Sequence, residues 1–264
     1  MPAFASPDSK RTVSNVLSLI PLTGLPLVEP GDDLAALLLA AVQRCAGGFQ
    51  DGDLLVLAQK IVSKAENRYV DLASVEPSAE ALELAPKVDK DPRIVEIVLR
   101  ESAAVLRHRI GAIIVEHRLG YVHANAGVDR SNIADHERVL LLPEDPDRSA
   151  RELRQSVRKN TGCDICVLIN DSAGRSFRTG ITGFAIGSAG FKPLVNRIGA
   201  PDLFGRKLEI TEVAVADELA AAASFLMGQA DEGIPAVLIR GAKLEPSDEG
   251  MRALIRPRTQ DLFR

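Results

Sequence analysis

Residues 169–180 read INDSAGRSFRTG, and they place Asp171, Ser172, Arg175 and Arg178 directly after the apolar run CVLI. A second polar stretch, NAGVDRSN (125–132), carries Asp129. Carboxylate and hydroxyl oxygens suit a hard cation, Mg²⁺ or Mn²⁺, which keeps some waters and completes its shell from a phosphate. Two aspartates about 4 Å apart would repel by about 4 kcal/mol at an effective dielectric near 20. Only a cation, or a proton on one of them, relieves that. Each Asp also suits a plainer task, since Asp is a favoured turn residue. Spacing alone leaves both readings open.

Other polar groups gather at the ends of apolar segments. Lys60 and Lys64 follow LLVLA (54–58). Lys64 could meet a phosphate as a point charge, or be a solvated lysine on a ribbon. Arg175 and Arg178 could clamp a phosphate or carboxylate, or pair with neighbouring acids. In MGQADEGIP (227–235) the glycines and the Gln229 amide could face a ligand, or simply stop a helix.

Several common chemistries are missing. GSAGFK (187–192) lacks the spacing and the Ser/Thr of a phosphate-binding Walker loop. No G-x-G-x-x-G follows a strand, which speaks against a Rossmann cofactor, and no G-x-S-x-G elbow occurs. His108, His117, His123 and His136 show no H-x-x-x-H spacing. Cys163 and Cys166 form a C-x-x-C without a second pair to complete a zinc site. CDICVLI reads as a strand, where residues three apart point to opposite faces, so both read as packing cysteines. Three cysteines, an odd number, fit a reducing cytoplasm. A formal charge of −4 speaks against nucleic-acid binding through a basic surface. The longest apolar run, Leu34–Val42, falls far short of the roughly 20 residues of a membrane span.

These groups need elements to hold them. The 264 residues suffice for one large domain or two small ones, with an aliphatic core, since Trp is absent and Tyr occurs twice. Residues 1–12 read as a flexible tail without a signal-peptide core. Residues 13–245 read as one domain, with 60–160 as a candidate subdomain and 246–264 as a loose charged tail. Strands are expected at Val13–Leu22, 54–58, 163–170 and 234–241, with a hairpin over 111–127 turning near Arg118–Gly120. Asp32 and Asp33 suit the cap of a helix that Gly47 and Gly48 stop. Pro92 opens another helix, with Ile94, Val95, Val98, Leu99, Val105 and Leu106 on one side. A charged helix spans 147–159. The glycines at 180, 183, 187 and 190 each cost about 1 kcal/mol in a helix, so 176–190 reads as strand and loop with close backbone approach. Glu212–Gly228 is the clearest helix. Strands and helices come in runs, which favours an α+β fold with mixed or antiparallel sheets.

Taken together, GLPLVEPGDDL (24–34), DGDLLVLAQKIVSKAENR (51–68), NAGVDRSN, LLPEDPDRSA (141–150), INDSAGRSFRTG, FGRKLEITEVAVADELAAAA (204–223) and MGQADEGIPAVLIRG (227–241) resemble the coenzyme F420 γ-glutamyl ligases of the CofE type. The segments keep the family's order and cover about 15–241. The resemblance implies a cytoplasmic, GTP-dependent ligase that joins L-glutamate to a deazaflavin coenzyme precursor, then extends it through the γ-carboxylate. GTP would phosphorylate the acceptor carboxylate, and the glutamate amine would attack the acyl phosphate. It also implies an intertwined homodimer and two divalent ions per site, with K⁺ as an additional candidate cation. On that pattern Asp129 and Asp171 hold the first ion, and Ser172 and Gln229 serve the second. Leu25, Pro26, Leu27, Val28, Gln59, Lys64 and Asn132 contact GTP, as does the loop of Met227, Gly228, Gln229, Ala230, Asp231, Glu232, Gly233 and Ile234. Arg175 and Arg178 are read here as partners of an anionic substrate. Where relatives commonly have Thr, Thr and Trp, this chain has Asn170, Ser172 and Phe177. Ser172 keeps the hydroxyl, whereas Phe177 loses the indole donor. A metal-dependent phosphohydrolase and a non-catalytic nucleotide-binding module are the rival readings.

Overall fold

The computed structural model describes residues 16–133 and 135–262, so the expected tail at 1–12 lies outside them. β1 (Ser18–Pro21) opens the described chain. α1 (Leu34–Ala46) starts as expected, with the Ala36 N–H donating to Asp33 Oδ1 at 3.0 Å, and Gly47 ends it at φ 72. β2 (Leu54–Ala58) runs straight into α2 (Gln59–Ala65). Lys60 and Lys64 therefore lie on a helix and not on a ribbon. Ile61 and Val62 anchor it in the core, and Ser63 Oγ donates to Gln59 Oε1 at 2.9 Å across one turn.

β3 (Tyr69–Asp71) later pairs with β7 (Arg138–Leu140). Between them come α3 (Ala79–Val88), α4 (Pro92–Arg100), β4 (Ser102–Arg109), β5 (Ala112–His117) and β6 (Val122–Ala124). α3 had no counterpart in the sequence reading, where Pro86, a residue that removes a helical N–H, masks it. α4 is shorter than expected. Ser102 Oγ bonds the Val98 carbonyl at 2.5 Å near the helix end, and the chain turns into β4. Val105 and Leu106 thus belong to that strand. The β5–β6 hairpin turns at 118–120 as expected.

α5 (Pro146–Thr161) is capped by Asp145, and β8 (Cys166–Arg175) and β9 (Arg178–Ala189) form one long antiparallel hairpin. Asp171 and Ser172 consequently sit inside β8, not past its end. Pairing with β9 satisfies the backbone there without apolar side chains. β10 (Val195–Asn196) pairs with β11 (Glu212–Val213), so α6 (Val215–Met227) begins three residues later than expected. β12 (Ala236–Arg240) completes the strands.

The main sheet has the order β1-β12-β2-β8-β9, and β2 and β8 are its parallel pair. Both faces are covered. Leu55, Leu57, Val167, Ile169 and Leu238 meet buried residues of α1 and α5. Leu54, Val56, Leu168, Val237 and Ile239 meet α6. Strands buried on two sides read as unbroken apolar runs, which is why LLVLA and AVLI carry no polar alternation. Cys163 packs on the first face and Cys166 on the second, in keeping with the packing role. The smaller sheet β4-β5-β6 shares a separate core with α3 and α4. The whole is a mixed α+β fold with several sheets, as expected.

Close backbone approach occurs in β9. A Cβ at Gly183 would stand 2.5 Å from Ser224 Cβ on α6, and one at Gly187 would stand 2.5 Å from Pro146 on α5. Register shifts between Ile169 and Asn170, where Ile169 faces Gly187 and Asn170 faces Ala185. The extra residue, Ile186, is a β-bulge that turns the two halves of the strand toward different layers. The segment past Glu245 is not the loose tail expected. Met251 is buried against the α6 core, and its N–H donates to both Asp147 carboxylate oxygens at 3.1 Å. Among the described residues no helix is long and apolar enough to cross a membrane.

Candidate functional site

Parallel pairing brings the site together. β2 ends with Ala58 opposite Asn170, and β8 runs on past it, paired only with β9. The next residues, Gln59 on α2 and Asp171 on β8, therefore open onto the same cavity, of about 810 Å³. Such a crevice beyond parallel strand ends is a common ligand position. Asp129 and Asn132 enter from the loop after β6, and Asp129 is tied to Leu140 by two backbone bonds of 3.0 and 2.9 Å. The 25–28 segment forms one wall, and the loop from Met227 to Ile234 forms another. All the residues named for metal or nucleotide contact line this cavity.

The two aspartates have different partners. Asp129 Oδ1 accepts the Ser131 N–H at 2.7 Å, and its Oδ2 meets Lys60 Nζ at 2.9 Å. Burial works to raise the Asp129 carboxyl, but the Lys60 and Ser131 hydrogen bonds outweigh it and hold the group below its usual range. Asp171 Oδ1 accepts the Ser172 N–H at 2.8 Å. Its Oδ2 lies 2.9 Å from His123 Nε2. His123 is buried, and its Nδ1 lies 2.8 Å from the Ala124 carbonyl. Burial opposes a charged imidazole there, yet the bond to Asp171 and its charge raise the His123 pKa above the ordinary value.

Ser172 Oγ donates to Gln229 Oε1 at 2.8 Å, and Gln229 Nε2 donates to Ser224 Oγ at 3.0 Å. Lys64 Nζ donates to the Asn132 carbonyl at 2.9 Å. Asn170 also lines the cavity. It is 4% exposed, and its Oδ1 is buried without a hydrogen-bond partner. Arg175 and Arg178 are placed elsewhere. They face each other at the exposed tip of the β8–β9 hairpin, outside the cavity lining, where Arg175 reaches the Gly180 carbonyl at 3.3 Å.

Residues 24–241 match the family F420-0:Gamma-glutamyl ligase. The chain belongs to that family. It is 48% identical over 250 residues to a protein of Methanothermobacter thermautotrophicus named coenzyme F420:L-glutamate ligase, covering 94% of this chain and 99% of the relative. A protein of the same name from Methanopyrus kandleri is 48% identical over 241 residues, 90% of this chain and 93% of its own. One from Archaeoglobus fulgidus is 43% identical over 249 residues, 94% and 96% of the two chains.

The donor set in this ligase-family cavity suits hard cations. Asp129, Asp171, Ser172 and Gln229 offer oxygens only. Ser172 Oγ and Gln229 Oε1 lie 2.8 Å apart in a hydrogen bond, and a cation held by both oxygens would take the place of that proton's contact. Among the described residues no three His, Cys, Asp or Glu cluster as a metal site. A cation here would draw on neutral side-chain oxygens, water and phosphate, as Mg²⁺ characteristically does. Sequence reasoning missed His123, because no spacing links it to Asp171, forty-eight positions away. It also left Lys60 and Asn170 without a role, although both lie next to residues it had named.

Proposed function

We propose that this protein is a GTP-dependent ligase that joins L-glutamate to a deazaflavin F420 precursor through an amide and then extends it through the γ-carboxylate, using two divalent ions. Family membership supports the reaction class. The single observation that carries the nucleotide and metal reading is the shared cavity. It joins Asp129, Asp171, Ser172 and Gln229 to a lysine-bearing helix and a glycine-containing loop.

In the first step an acceptor carboxylate oxygen attacks the terminal phosphorus of GTP, and GDP leaves. In the second the glutamate amine attacks the acyl carbon, phosphate leaves, and the amine proton is lost to solvent. A carboxylate is a poor electrophile, and phosphorylation gives it a leaving group. Divalent ions would neutralise the charge that accumulates between nucleotide, acceptor and product. This chain's residues orient that chemistry. Ser131 N–H and Ser172 N–H each hold one oxygen of a carboxylate, while the other oxygen meets Lys60 in Asp129 and His123 in Asp171. Lys64 supplies positive charge beside Asn132. Arg175 and Arg178, at the exposed end of a two-stranded arm, serve the anionic acceptor in this reading.

A homodimer belongs to the same proposal. The arm around β10 and β11 leaves Leu203, Phe204 and Ile210 at 99%, 88% and 88% exposure. A second copy of the chain is the occupant we assign to them. Leu203→Asp with Phe204→Asp should halve the mass measured by light scattering, and a parent protein already monomeric would remove this part.

The decisive assay mixes the protein with GTP, Mn²⁺ or Mg²⁺, L-glutamate and the deazaflavin precursor. GDP release together with a mass gain of one glutamyl unit is expected. Phosphate release without glutamate incorporation would favour a phosphohydrolase, and GTP binding without turnover a non-catalytic module. Asp171→Asn keeps a partner for His123 and should lose turnover without losing the fold.

A further inference from the structure

We infer that Lys60 is an exchangeable counter-cation: its ammonium group occupies the Asp129 position that a divalent ion takes, and that ion binds by displacing it. The inference rests on the metal reading proposed above and adds a competitor to it.

The two carboxylates are held in contrasting ways. Each commits one oxygen to a nearby backbone N–H, Ser131 two residues on for Asp129 and the adjacent Ser172 for Asp171. Those bonds fix the carboxylate planes. The remaining oxygen of Asp171 faces His123, a ring buried to 8% exposure and held at its other nitrogen by Ala124. That partner has no room to leave. The remaining oxygen of Asp129 faces an ammonium on a four-carbon stem, with 30% of the Lys60 side chain exposed. That partner can leave.

The ammonium also has somewhere to stay when it does. Lys60 Nζ bonds Ser131 Oγ at 2.7 Å as well as Asp129 at 2.9 Å. Losing the carboxylate contact keeps the hydroxyl contact. Lys60 and Lys64 lie one helical turn apart on α2 and both reach the 129–132 loop. Only Lys60 touches a carboxylate. A lysine suits such an exchange better than an arginine, because its charge is compact, strongly hydrated and mounted on a flexible chain, whereas a guanidinium forks onto both oxygens.

The consequence is a sign that an ordinary structural salt bridge would not give. If Lys60 merely braced Asp129, removing it would loosen the carboxylate and weaken ion binding. If it competes, removing it frees an anionic oxygen and lifts the repulsion between ammonium and incoming ion, and binding tightens.

The test is a Mn²⁺ titration of the full chain without nucleotide, following the free-ion electron paramagnetic resonance signal. Lys60→Met should bind Mn²⁺ about five- to tenfold more tightly than the parent, the scale of one partly exposed charge-assisted hydrogen bond. Lys60→Gln gives a second neutral variant should the first not fold, and the same tightening is expected. Lys60→Arg should bind no more tightly than the parent. Neutral variants that bind equally or more weakly overturn the inference. Parent protein that binds no Mn²⁺, or whose binding is unmoved by Asp129→Asn and Asp171→Asn, overturns the metal reading itself.

Discussion

A methyl group added at position 183 measures how closely β9 and α6 are pressed together. The new Cβ would lie 2.5 Å from Ser224 Cβ, 2.6 Å from the Ala220 carbonyl oxygen and 2.6 Å from Asn170 Oδ1. Two of these atoms belong to α6, and a backbone carbonyl cannot rotate aside, so helix and strand must separate. Overpacking of this kind costs about 1–3 kcal/mol. Three simultaneous contacts, one of them backbone, put Gly183→Ala near 3 kcal/mol on that scale. At roughly 2–4 °C per kcal/mol for a chain of this size, the melting temperature should fall by about 6–12 °C. Ser224 also accepts the Gln229 amide, so the 227–234 loop should shift and nucleotide affinity should drop. Gly174→Ala is the control in the same hairpin, with an ordinary φ and nothing within 4 Å, and it should stay within about 0.5 kcal/mol of the parent. Thermal unfolding by circular dichroism reads both. Two variants melting within about 1 °C of each other would refute the argument from close approach.

Burial pushes the His117 imidazole down to about 4, against about 6.5 in an unfolded chain. The unfolded chain binds a proton between those values that the fold refuses. Stability is therefore complete above about pH 6.5 and should fall by about 3 kcal/mol as the pH drops to about 4, a slope that His117→Phe should flatten in denaturant titrations. Asp53 is 1% exposed and takes Arg240 Nε and Nη2 at 2.8 Å each, so Asp53→Asn should cost about 3 kcal/mol by urea unfolding. Arg175→Ala with Arg178→Ala, both on the exposed hairpin tip, should leave the melting temperature unchanged while raising KM for the anionic acceptor and sparing KM for GTP.

What the sequence disclosed depended on local signals. Asp33 and Pro92 mark helix starts in a way a single residue can announce, and both helices begin where the chain suggests; α5, capped by Asp145, opens at Pro146, just before the expected 147. Doubly buried strands announce themselves as apolar runs. α3 did not, because Pro86 lies inside it and tertiary packing of Ala81, Leu84 and Val88 overrides the proline. β8 continued through INDSAGR because its partner strand supplies hydrogen bonds that no residue type encodes. The site was legible as separate polar clusters, and the ordered set of segments tied them to a family. Their joining in one cavity depends on the parallel β2–β8 register, and the His123–Asp171 contact on the packing of a small sheet against a large one. Neither leaves a trace in spacing.

Ile186 works as a phase shifter in β9. Upstream of it, position 183 addresses α6; downstream, position 187 addresses α5. Deleting that one residue would restore an even period and invert the inward and outward sets along one half of the strand. Gly187 or Gly183 would then give way to a larger neighbour against a helix that tolerates only hydrogen. The two helical layers are thus fitted to one strand through a single supernumerary residue, and strand length at this point is as tightly constrained as any side chain in the cavity.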